Sequence, residues 1–277
     1  MIDSFAKLNL LDSSDITDVH HYSKLESKQL GNVGSDIAVY DFYSIDDLKY
    51  ADQWPHEQFD YRINNHGFRY NETPPAVDIA VFGCSFTFGT GLPAHMLWHN
   101  ILADSRNETC LNFGIPGASI KSITDVFCIV SKHIKIKKAI FLLPSNSRIQ
   151  IAKTHPSEEK VDYLSAIPGH DSKLCAYYNL DTNGLYKYLP DEETMKVAKD
   201  QVYLTEYLAK NRGIDLYYSS WDPTTYELLS KMDLKHSTLL PPWWTPVELV
   251  EDKARDNYHP GPGHHKYWFN DIKELIK

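Results

Sequence analysis

The sequence predicts an α/β fold in which a mainly parallel sheet is covered by helices on both faces. From residue 76 onward, short apolar runs alternate with amphipathic segments, which is typical of parallel strands joined by helices. The run that follows Lys138 is continuously apolar, as expected of a strand buried on both faces. Glycine and proline residues separate these segments and mark their ends.

The first predicted unit is a strand, a helix and a second strand. The first strand spans residues 78–83, an apolar run that ends at a glycine. The helix is expected over residues 93–105, because Pro93 suits the first turn of a helix. The second strand is expected over residues 109–113. Three apolar residues share one face of the helix: Leu97, Ile101 and Leu102.

The second predicted unit is a helix over about residues 118–132 and a third strand over residues 138–143. The apolar residues of this helix recur every three or four positions, which predicts one buried face. These residues are Ile120, Ile123, Phe127 and Val130. Residues 147–190 contain several breakers, such as Pro156 and Asn183-Gly184, and we interpret them as an insertion that is placed to cover a site.

Two further helices and a strand complete the predicted domain. Asp191 is suited to cap a long helix whose acidic first turn and final Gly213 are conventional start and stop signals. A fourth strand follows over residues 214–218, and a final helix begins near Pro262. The apolar face of the final helix is expected to contain Trp268, Ile272, Leu275 and Ile276.

The chain has 277 residues, and we place a domain boundary at Pro74-Pro75. Residues 1–75 are polar and show little periodicity, so we predict an N-terminal extension there. Residues 76–277 are predicted to form one domain, which is long enough to bury a sizeable core. The sequence does not predict an oligomeric state.

Composition excludes several classes of partner. The formal net charge of -9 makes nucleic acid an unsuitable ligand, because a phosphate backbone selects a basic surface. No apolar run approaches the ~18 residues that span a bilayer, and no export signal is recognisable. The cysteines form no Cys-x-x-Cys pair, so we expect thiols in a cytoplasmic, reducing compartment. They are Cys84, Cys110, Cys128 and Cys175.

Ser85 directly follows the first predicted strand, at the sheet edge where parallel α/β folds bind ligands. A serine hydroxyl becomes a good nucleophile only when a neighbouring base takes its proton. His259 is the leading candidate, and it ends the segment Asp256-Asn-Tyr-His259. This spacing lets Asp256 orient the imidazole and stabilise the imidazolium that forms. The combination predicts a Ser-His-Asp triad.

Two more strands end at the same predicted edge and supply candidate oxyanion donors. The second strand runs into Asn112-Phe-Gly114, and the third runs into Pro144-Ser-Asn146. An acyl-transfer transition state develops charge on the carbonyl oxygen, and each fixed donor there is worth roughly 3–4 kcal/mol. The candidates are the backbone N–H groups of Ser85 and Gly114 and the side-chain amide of Asn146.

Four segments, taken in order, resemble the conserved blocks of the SGNH (GDSL-like) hydrolases. The similarity covers roughly residues 76–277, and a segment that ends at Arg69 resembles one often found just upstream of such domains. Cys84 stands where the family usually has aspartate, and Asn146 follows Pro-Ser rather than the usual Gly-x. The four segments are Gly83-Cys-Ser85-Phe-Thr-Phe-Gly, Asn112-Phe-Gly114-Ile-Pro-Gly, Asn146, and Asp256-Asn-Tyr-His259.

The resemblance implies a three-layer α/β/α, flavodoxin-like fold and the hydrolysis or transfer of an acyl group through a serine ester. In that scheme Ser85 is the nucleophile, His259 is the base and Asp256 is its orienting partner. Gly114 and Asn146 complete the oxyanion hole. No cofactor is expected.

Other interpretations of the same residues remain open. Cys84 is an alternative nucleophile, although a buried structural thiol is the simpler interpretation. His264 and His265 form a histidine-rich tract with His259, but no carboxylate or cysteine at ligand spacing joins it, so we expect no metal. We interpret both as solvent-exposed residues at a helix start.

Trp243 and Trp244 precede the proposed base and are candidates for a flat platform that binds a sugar ring, although we favour the interpretation that they pack the loop onto the sheet. The main hypothesis is therefore an esterase or deacetylase that acts on a small O-acyl group, with a carbohydrate as one candidate substrate. The alternatives are a non-catalytic relative that binds a glycan or protein, and an O-acyltransferase.

Overall fold

The computed structural model describes residues 68–69, 74–154, 161–166, 187, 191–244, 246, 249, 251–254 and 258–277. Its main sheet has five parallel strands in the order β2-β1-β3-β6-β7. A separate antiparallel hairpin is formed by β4 and β5. The strands are β1 Ala76–Gly83, β2 Cys110–Gly114, β3 Lys135–Leu143, β4 Ile149–Thr154, β5 Val161–Ala166, β6 Asp215–Ser220 and β7 Ser237–Leu239.

Six α-helices accompany the strands in the described part of the chain. They are α1 Ser85–Phe88, α2 Trp98–Arg106, α3 Ile120–His133, α4 Asp191–Arg212, α5 Pro223–Lys231 and α6 Pro262–Ile272. Helices α3 and α4 cover one face of the sheet, and α2 and α6 cover the other. The predicted three-layer α/β/α fold with a mainly parallel sheet is therefore confirmed.

The two faces of each central strand bury different residues because successive side chains point to opposite sides of a sheet. On the side of α3, Phe82 stacks between Phe113 and Phe141, with ring centroids 5.1 and 4.9 Å apart. On the side of α2 and α6, Val81 belongs to a cluster with Trp98 and other large apolar side chains. This arrangement fixes β1 at the centre of the core and its carboxyl end at the centre of the sheet edge.

A buried charge lies within the third predicted strand. The side chain of Lys138 is almost fully buried, and its Nζ lies 2.5 Å from Glu108 Oε1. A buried ammonium requires such a partner, because desolvation of an unpaired charge is costly.

Several predicted elements differ from those observed. Residues 94–96 form a 3₁₀ turn, and α2 begins only at Trp98 because the backbone of Leu97 is extended. The predicted insertion contains the β4–β5 hairpin. Helix α5 and strand β7 were not predicted, although Asp222 caps α5 by accepting a hydrogen bond from the Thr225 N–H, ahead of a proline in the first turn.

The apolar face of α6 was predicted correctly except at one position. Trp268, Ile272 and Ile276 are buried, whereas the side chain of Leu275 is 42% exposed. The prediction for Leu275 was wrong because the turn after α6 keeps the Ile276 N–H bonded to the Ile272 carbonyl and leaves Leu275 on the solvent side.

The domain boundary predicted at Pro74-Pro75 stays a prediction. Two residues on the N-terminal side of it nevertheless pack against the sheet domain. Phe68 is buried, and its ring meets that of Phe113 edge to face at 5.0 Å. In the described part of the chain, no helix combines the length and apolar character that a membrane crossing requires.

Replacing Ile272 with alanine should lower the free energy of unfolding by about 2–5 kcal/mol, because it leaves a cavity in the core. Replacing Leu275 with alanine should change it by less than about 0.5 kcal/mol, since this side chain is partly in solvent. Urea unfolding of both variants measures the difference. Equal losses would contradict the packing described for α6.

Candidate active site

Ser85 is the first residue of α1, a single helical turn that follows β1 after Cys84. Its side chain is 7% exposed. The turn folds back so tightly that a Cβ on Gly83 would lie 2.1 Å from Thr87 Oγ1 and 2.7 Å from the Leu142 carbonyl oxygen. Only glycine fits there, and its presence lets the chain place Ser85 at the carboxyl end of the central strand.

Asn112 fixes the position of α1 by forming hydrogen bonds with two segments of the chain. Its Nδ2 donates to the Thr87 carbonyl at 3.0 Å, and its Oδ1 accepts the Gly114 N–H at 2.8 Å. Gly114 itself lies so close that an added Cβ would be 2.3 Å from the Phe88 nitrogen. The Gly114 N–H, a predicted oxyanion donor, is therefore engaged with Asn112 in this structure.

A buried histidine completes this polar cluster. His99 Nδ1 lies 3.1 Å from Asn100 Oδ1, and the Asn100 amide group donates elsewhere, to the Ala94 carbonyl. Nε2 lies 3.2 Å from both Asn112 Nδ2 and the Thr87 carbonyl oxygen. Burial, together with the positive charge of Arg69, lowers the pKa of His99 to about 3. His99 is thus a neutral residue that supports the turn.

Arg69 holds the chain segment that leaves α1. Its guanidinium donates to the carbonyls of Phe88 at 2.8 Å, Gly89 at 2.6 Å and Leu92 at 2.5 Å. The group is buried and also lies over the Phe88 ring, with Cζ 5.4 Å from the ring centroid. Three carbonyl dipoles therefore compensate a buried cation, and Arg69 ties the predicted extension to the turn that bears Ser85.

His259 lies beside that same turn. Its ring is largely buried and meets the ring of Phe86, the residue after Ser85, edge to face at 5.9 Å. The backbone is fixed by the Ala254 N–H, which donates to the His259 carbonyl at 2.8 Å. The structure thus brings His259 and the Ser85 turn together, across more than 170 residues of sequence. Asp256, the predicted third member of the triad, lies outside the described residues.

Asn146 is buried and contacts two helices. Its Nδ2 lies 3.4 Å from Thr194 Oγ1 in α4, and its backbone N–H donates to Thr225 Oγ1 in α5 at 2.8 Å. Thr225 Oγ1 also lies 3.4 Å from Asn146 Oδ1. The hydrogen bonds of this predicted oxyanion donor therefore link it to α4 and α5.

Sequence reasoning missed Trp221, which contacts Cys84, and Arg148, which lies over the Trp221 ring. The Trp221 indole N–H donates to Cys84 Sγ at 3.2 Å, and the Trp221 ring stacks on Phe86 with centroids 4.9 Å apart. The guanidinium of Arg148 lies over the Trp221 ring at 5.1 Å. Both residues follow closely after strands of the parallel sheet, and that position is the sequence signal that could have identified them.

The tryptophan pair divides between core and surface. Trp243 is 3% exposed and packs against Trp268 and His265, at centroid distances of 5.0 and 4.9 Å. Trp244 is 55% exposed, and its ring meets Tyr226 at 6.0 Å. Any flat surface that this pair offers to a ligand is therefore provided by Trp244.

His264 and His265 were predicted to be exposed, and that prediction was wrong. Both side chains are buried because the first turn of α6 packs against α2 and against the segment that precedes α2. His264 Nε2 lies 2.6 Å from the Leu249 carbonyl oxygen, and His265 Nδ1 accepts the Trp98 N–H at 3.2 Å. Among the described residues, no three His, Cys, Asp or Glu side chains are grouped as metal ligands.

Replacing Arg69 with glutamine should destabilise the protein by about 3 kcal/mol, because a buried acceptor left without its donor costs about 1–3 kcal/mol. The loss should appear first in the segment that Arg69 holds, so amide exchange at residues 88–92 should accelerate. Hydrogen exchange and urea unfolding measure both effects. Replacing the surface residue Lys121 with glutamine is the control, and exchange at residues 88–92 as slow as in that control would contradict the role of Arg69.

Stability should depend on pH through His99. The unfolded imidazole has a pKa of about 6.5, whereas the folded value is about 3. Between these pH values His99 binds a proton in the unfolded chain but not in the folded protein. The contribution of His99 to the free energy of unfolding is therefore intact above pH 6.5 and is lost as pH falls toward 3. Between pH 7 and 5, wild type should therefore lose about 1–2 kcal/mol more stability than a His99→Gln variant.

Urea unfolding at the two pH values measures this difference. His95→Gln, at an exposed position shortly before α2, is the matched control and should keep the wild-type pH dependence. An unchanged pH dependence in the His99→Gln variant would contradict the assignment of a neutral His99.

No protein-family model and no curated protein matches the chain. Solved structures of similar shape include a carbohydrate esterase family 2 enzyme with a carbohydrate-binding domain from Corynascus thermopiles, at 12% identity and TM-score 0.47, covering 75% of this chain and 68% of that one. A GDSL-like lipase from Bacteroides thetaiotaomicron is 11% identical, with TM-score 0.41 and 73% and 87% coverage.

A family 3 carbohydrate esterase from Clostridium thermocellum is 9% identical, with TM-score 0.41 and 72% and 96% coverage. The chain is thus similar in shape to GDSL-like and carbohydrate-esterase proteins. Its fold assignment depends on its own sheet order and on the helices that cover both faces of that sheet.

Proposed function

We propose that this protein is a serine hydrolase that cleaves a small O-acyl ester. The observation that carries the proposal is the contact between the His259 ring and the Phe86 ring of the turn that begins with Ser85. Nucleophilic acyl transfer requires a base within reach of the serine hydroxyl, and His259 is the candidate base that packs against the turn of Ser85.

The proposed reaction has two steps. In the first, His259 takes the Ser85 hydroxyl proton, Oγ bonds to the carbonyl carbon of the ester, and the alcohol leaves with that proton. In the second, His259 takes a proton from water and the water oxygen bonds to the same carbon. His259 then returns that proton to Ser85 Oγ as the Ser85 ester bond breaks and the acid is released. Asp256 is proposed to orient the imidazole in both steps.

The Ser85 backbone N–H is the leading candidate for stabilising the oxyanion. It belongs to the first turn of a helix, where backbone N–H groups lack intrahelical acceptors. The Gly114 N–H and the Asn146 amide are further candidates. The Gly114 N–H would have to exchange Asn112 for the substrate, whereas the bond to Thr194 uses one of the two N–H groups of the Asn146 amide. We therefore expect activity with reactive esters in which one strong donor suffices.

A sugar is a suitable alcohol for this ester because an aromatic surface lies exposed on the same domain. Trp244 and Tyr226 meet edge to face, and the Trp244 ring is largely open to solvent. Aromatic faces of this kind pack against the C–H faces of sugar rings. The proposal of a carbohydrate O-acyl esterase is supported by this surface.

A second candidate is a non-catalytic protein that uses the same cleft for binding. It is favoured by the Gly114 N–H and the Asn146 amide, because both predicted oxyanion donors bond to other groups of the protein. A reagent that reacts only with an activated serine separates the two candidates, since a fluorophosphonate requires both a nucleophile and its base.

Replacing Ser85 with alanine should abolish both hydrolysis of 4-nitrophenyl acetate and covalent labelling by a fluorophosphonate probe. Replacing His259 with alanine should lower kcat by about 10²–10⁴, the range that a positioned general base contributes. Stopped-flow or steady-state kinetics and intact-protein mass spectrometry measure these effects.

Two control variants make the test specific. Ser230→Ala removes an exposed serine of α5 and should leave activity unchanged. Cys84→Ala removes the alternative nucleophile and should leave the label on Ser85. Full turnover by the Ser85→Ala variant, or a label carried by Cys84, would refute the proposed mechanism. Absence of both turnover and label in wild type would favour the binding protein.

A further inference from the structure

Arg148 extends across the sheet edge at which Ser85 lies. It stands between β3 and β4, and its guanidinium reaches two loops that follow other strands of the sheet. Nη1 donates to the Ala118 carbonyl at 3.4 Å, beyond the end of β2, and the group covers the ring of Trp221, beyond the end of β6. Because the strand order is β2-β1-β3-β6, a group that spans these loops crosses the carboxyl ends of β1 and β3.

Trp221 connects this guanidinium to the proposed nucleophile. Its indole N–H bonds to Cys84 and its ring stacks on Phe86, the residues on either side of Ser85. The guanidinium of Arg148 also lies over the Trp221 ring, so one aromatic ring separates its positive charge from the two residues that flank Ser85.

The guanidinium of Arg148 has more N–H groups than its contact with Ala118 uses. Stacking on an aromatic ring uses the face of a guanidinium and leaves its edges, with five N–H groups, available for hydrogen bonds. One of them is directed to Ala118, and no carboxylate pairs with Arg148 in the part of the chain that the structure describes. The side chain is half-buried, so partial desolvation strengthens its attraction for an anion.

The sign of this charge is opposite to that of the whole protein. A net charge of -9 repels anions at long range, and a local cation is therefore the means by which such a chain can accept an acidic ligand. The guanidinium edge matches a carboxylate in particular, because its two parallel N–H groups bond both oxygens.

We infer that Arg148 binds a carboxylate of the substrate, so that the preferred substrates are acidic esters. The inference rests on the proposed function, since it assigns the substrate class of the same cleft. Arg148 determines specificity by holding the carboxylate while the ester reaches Ser85. The carboxylate belongs either to the acyl group or to the alcohol, and both have the same chemistry at this position.

Two pairs of esters test the inference and locate the carboxylate. The acyl-side pair is mono-4-nitrophenyl glutarate and 4-nitrophenyl valerate, and the alcohol-side pair is O-acetyl galacturonate and O-acetyl galactose. In at least one pair, wild type should prefer the acidic member. Arg148→Gln should lower that preference, measured as a ratio of kcat/KM values, by about 10-fold or more, as expected from one charge-assisted hydrogen bond.

Two further variants show whether the effect belongs to this guanidinium. Arg148→Lys keeps the charge but not the paired N–H groups and should restore the preference only in part. Lys137→Gln removes one positive charge from an exposed position at the opposite end of β3 and should leave the preference unchanged. Thermal unfolding of each variant verifies that the fold is intact.

Each outcome decides the inference. Equal losses of kcat/KM for acidic and neutral esters would overturn it, because Arg148 would then act on the reaction itself. A preference that survives Arg148→Gln, or no preference in either pair, would overturn it as well.

A binding measurement covers the case in which the protein turns over no ester and labels no serine. The proposed function then fails, and calorimetric titration with glutarate and galacturonate measures the affinity of the Arg148 site for a carboxylate. Wild type should bind at least one of them about 10-fold more tightly than Arg148→Gln does, and equal affinities would overturn the inference on its own.

Discussion

The close approach of α1 to the end of β1 and β2 is the constraint on which the site depends. Gly83 and Gly114 have no Cβ, and any larger residue at either position would meet backbone or Thr87 atoms well inside van der Waals contact. This approach leaves the backbone of α1 buried beneath Ser85. A buried backbone must find hydrogen-bond partners, and here Asn112 and Arg69 provide them.

The groups that support α1 form an electrostatically consistent set. Arg69 brings a positive charge into the interior, and three carbonyls compensate it. The neighbouring His99 is consequently kept neutral, since burial and the charge of Arg69 both lower its pKa. A second charged group at this depth would be costly, and the amide of Asn112 avoids that cost by bonding without a charge.

The polarity of the groups that contact α1 differs between its two sides. On one side, Asn112 and Arg69 donate hydrogen bonds to the backbone carbonyls of Thr87 and Phe88. On the other side, the rings of Phe86, Trp221 and His259 form a mostly apolar wall. Arg148 adds a cation to the rim of that wall. An apolar surface with one directional polar group is typical of a site that orients a small ligand, and the proposed roles of His259 and Arg148 both follow from this division.

Local patterns in the sequence were sufficient for most elements, because apolar spacing depends only on which face of a strand or helix is buried. They predicted four of the five strands of the main sheet and the buried face of α3. A pattern failed where a backbone torsion ended the periodicity, as at Leu97. The cap at Asp222 marked α5 in the sequence, so that omission was avoidable.

The sequence by itself determined the order of the fold and the position of Ser85 at a strand end. Only the tertiary structure decided which groups surround that serine. Burial of His264, the partners of Gly114 and Asn146, and the path of Arg148 across the sheet all depend on contacts between distant segments. Sequence spacing carries information about one element at a time, whereas a hydrogen bond between elements depends on how those elements pack.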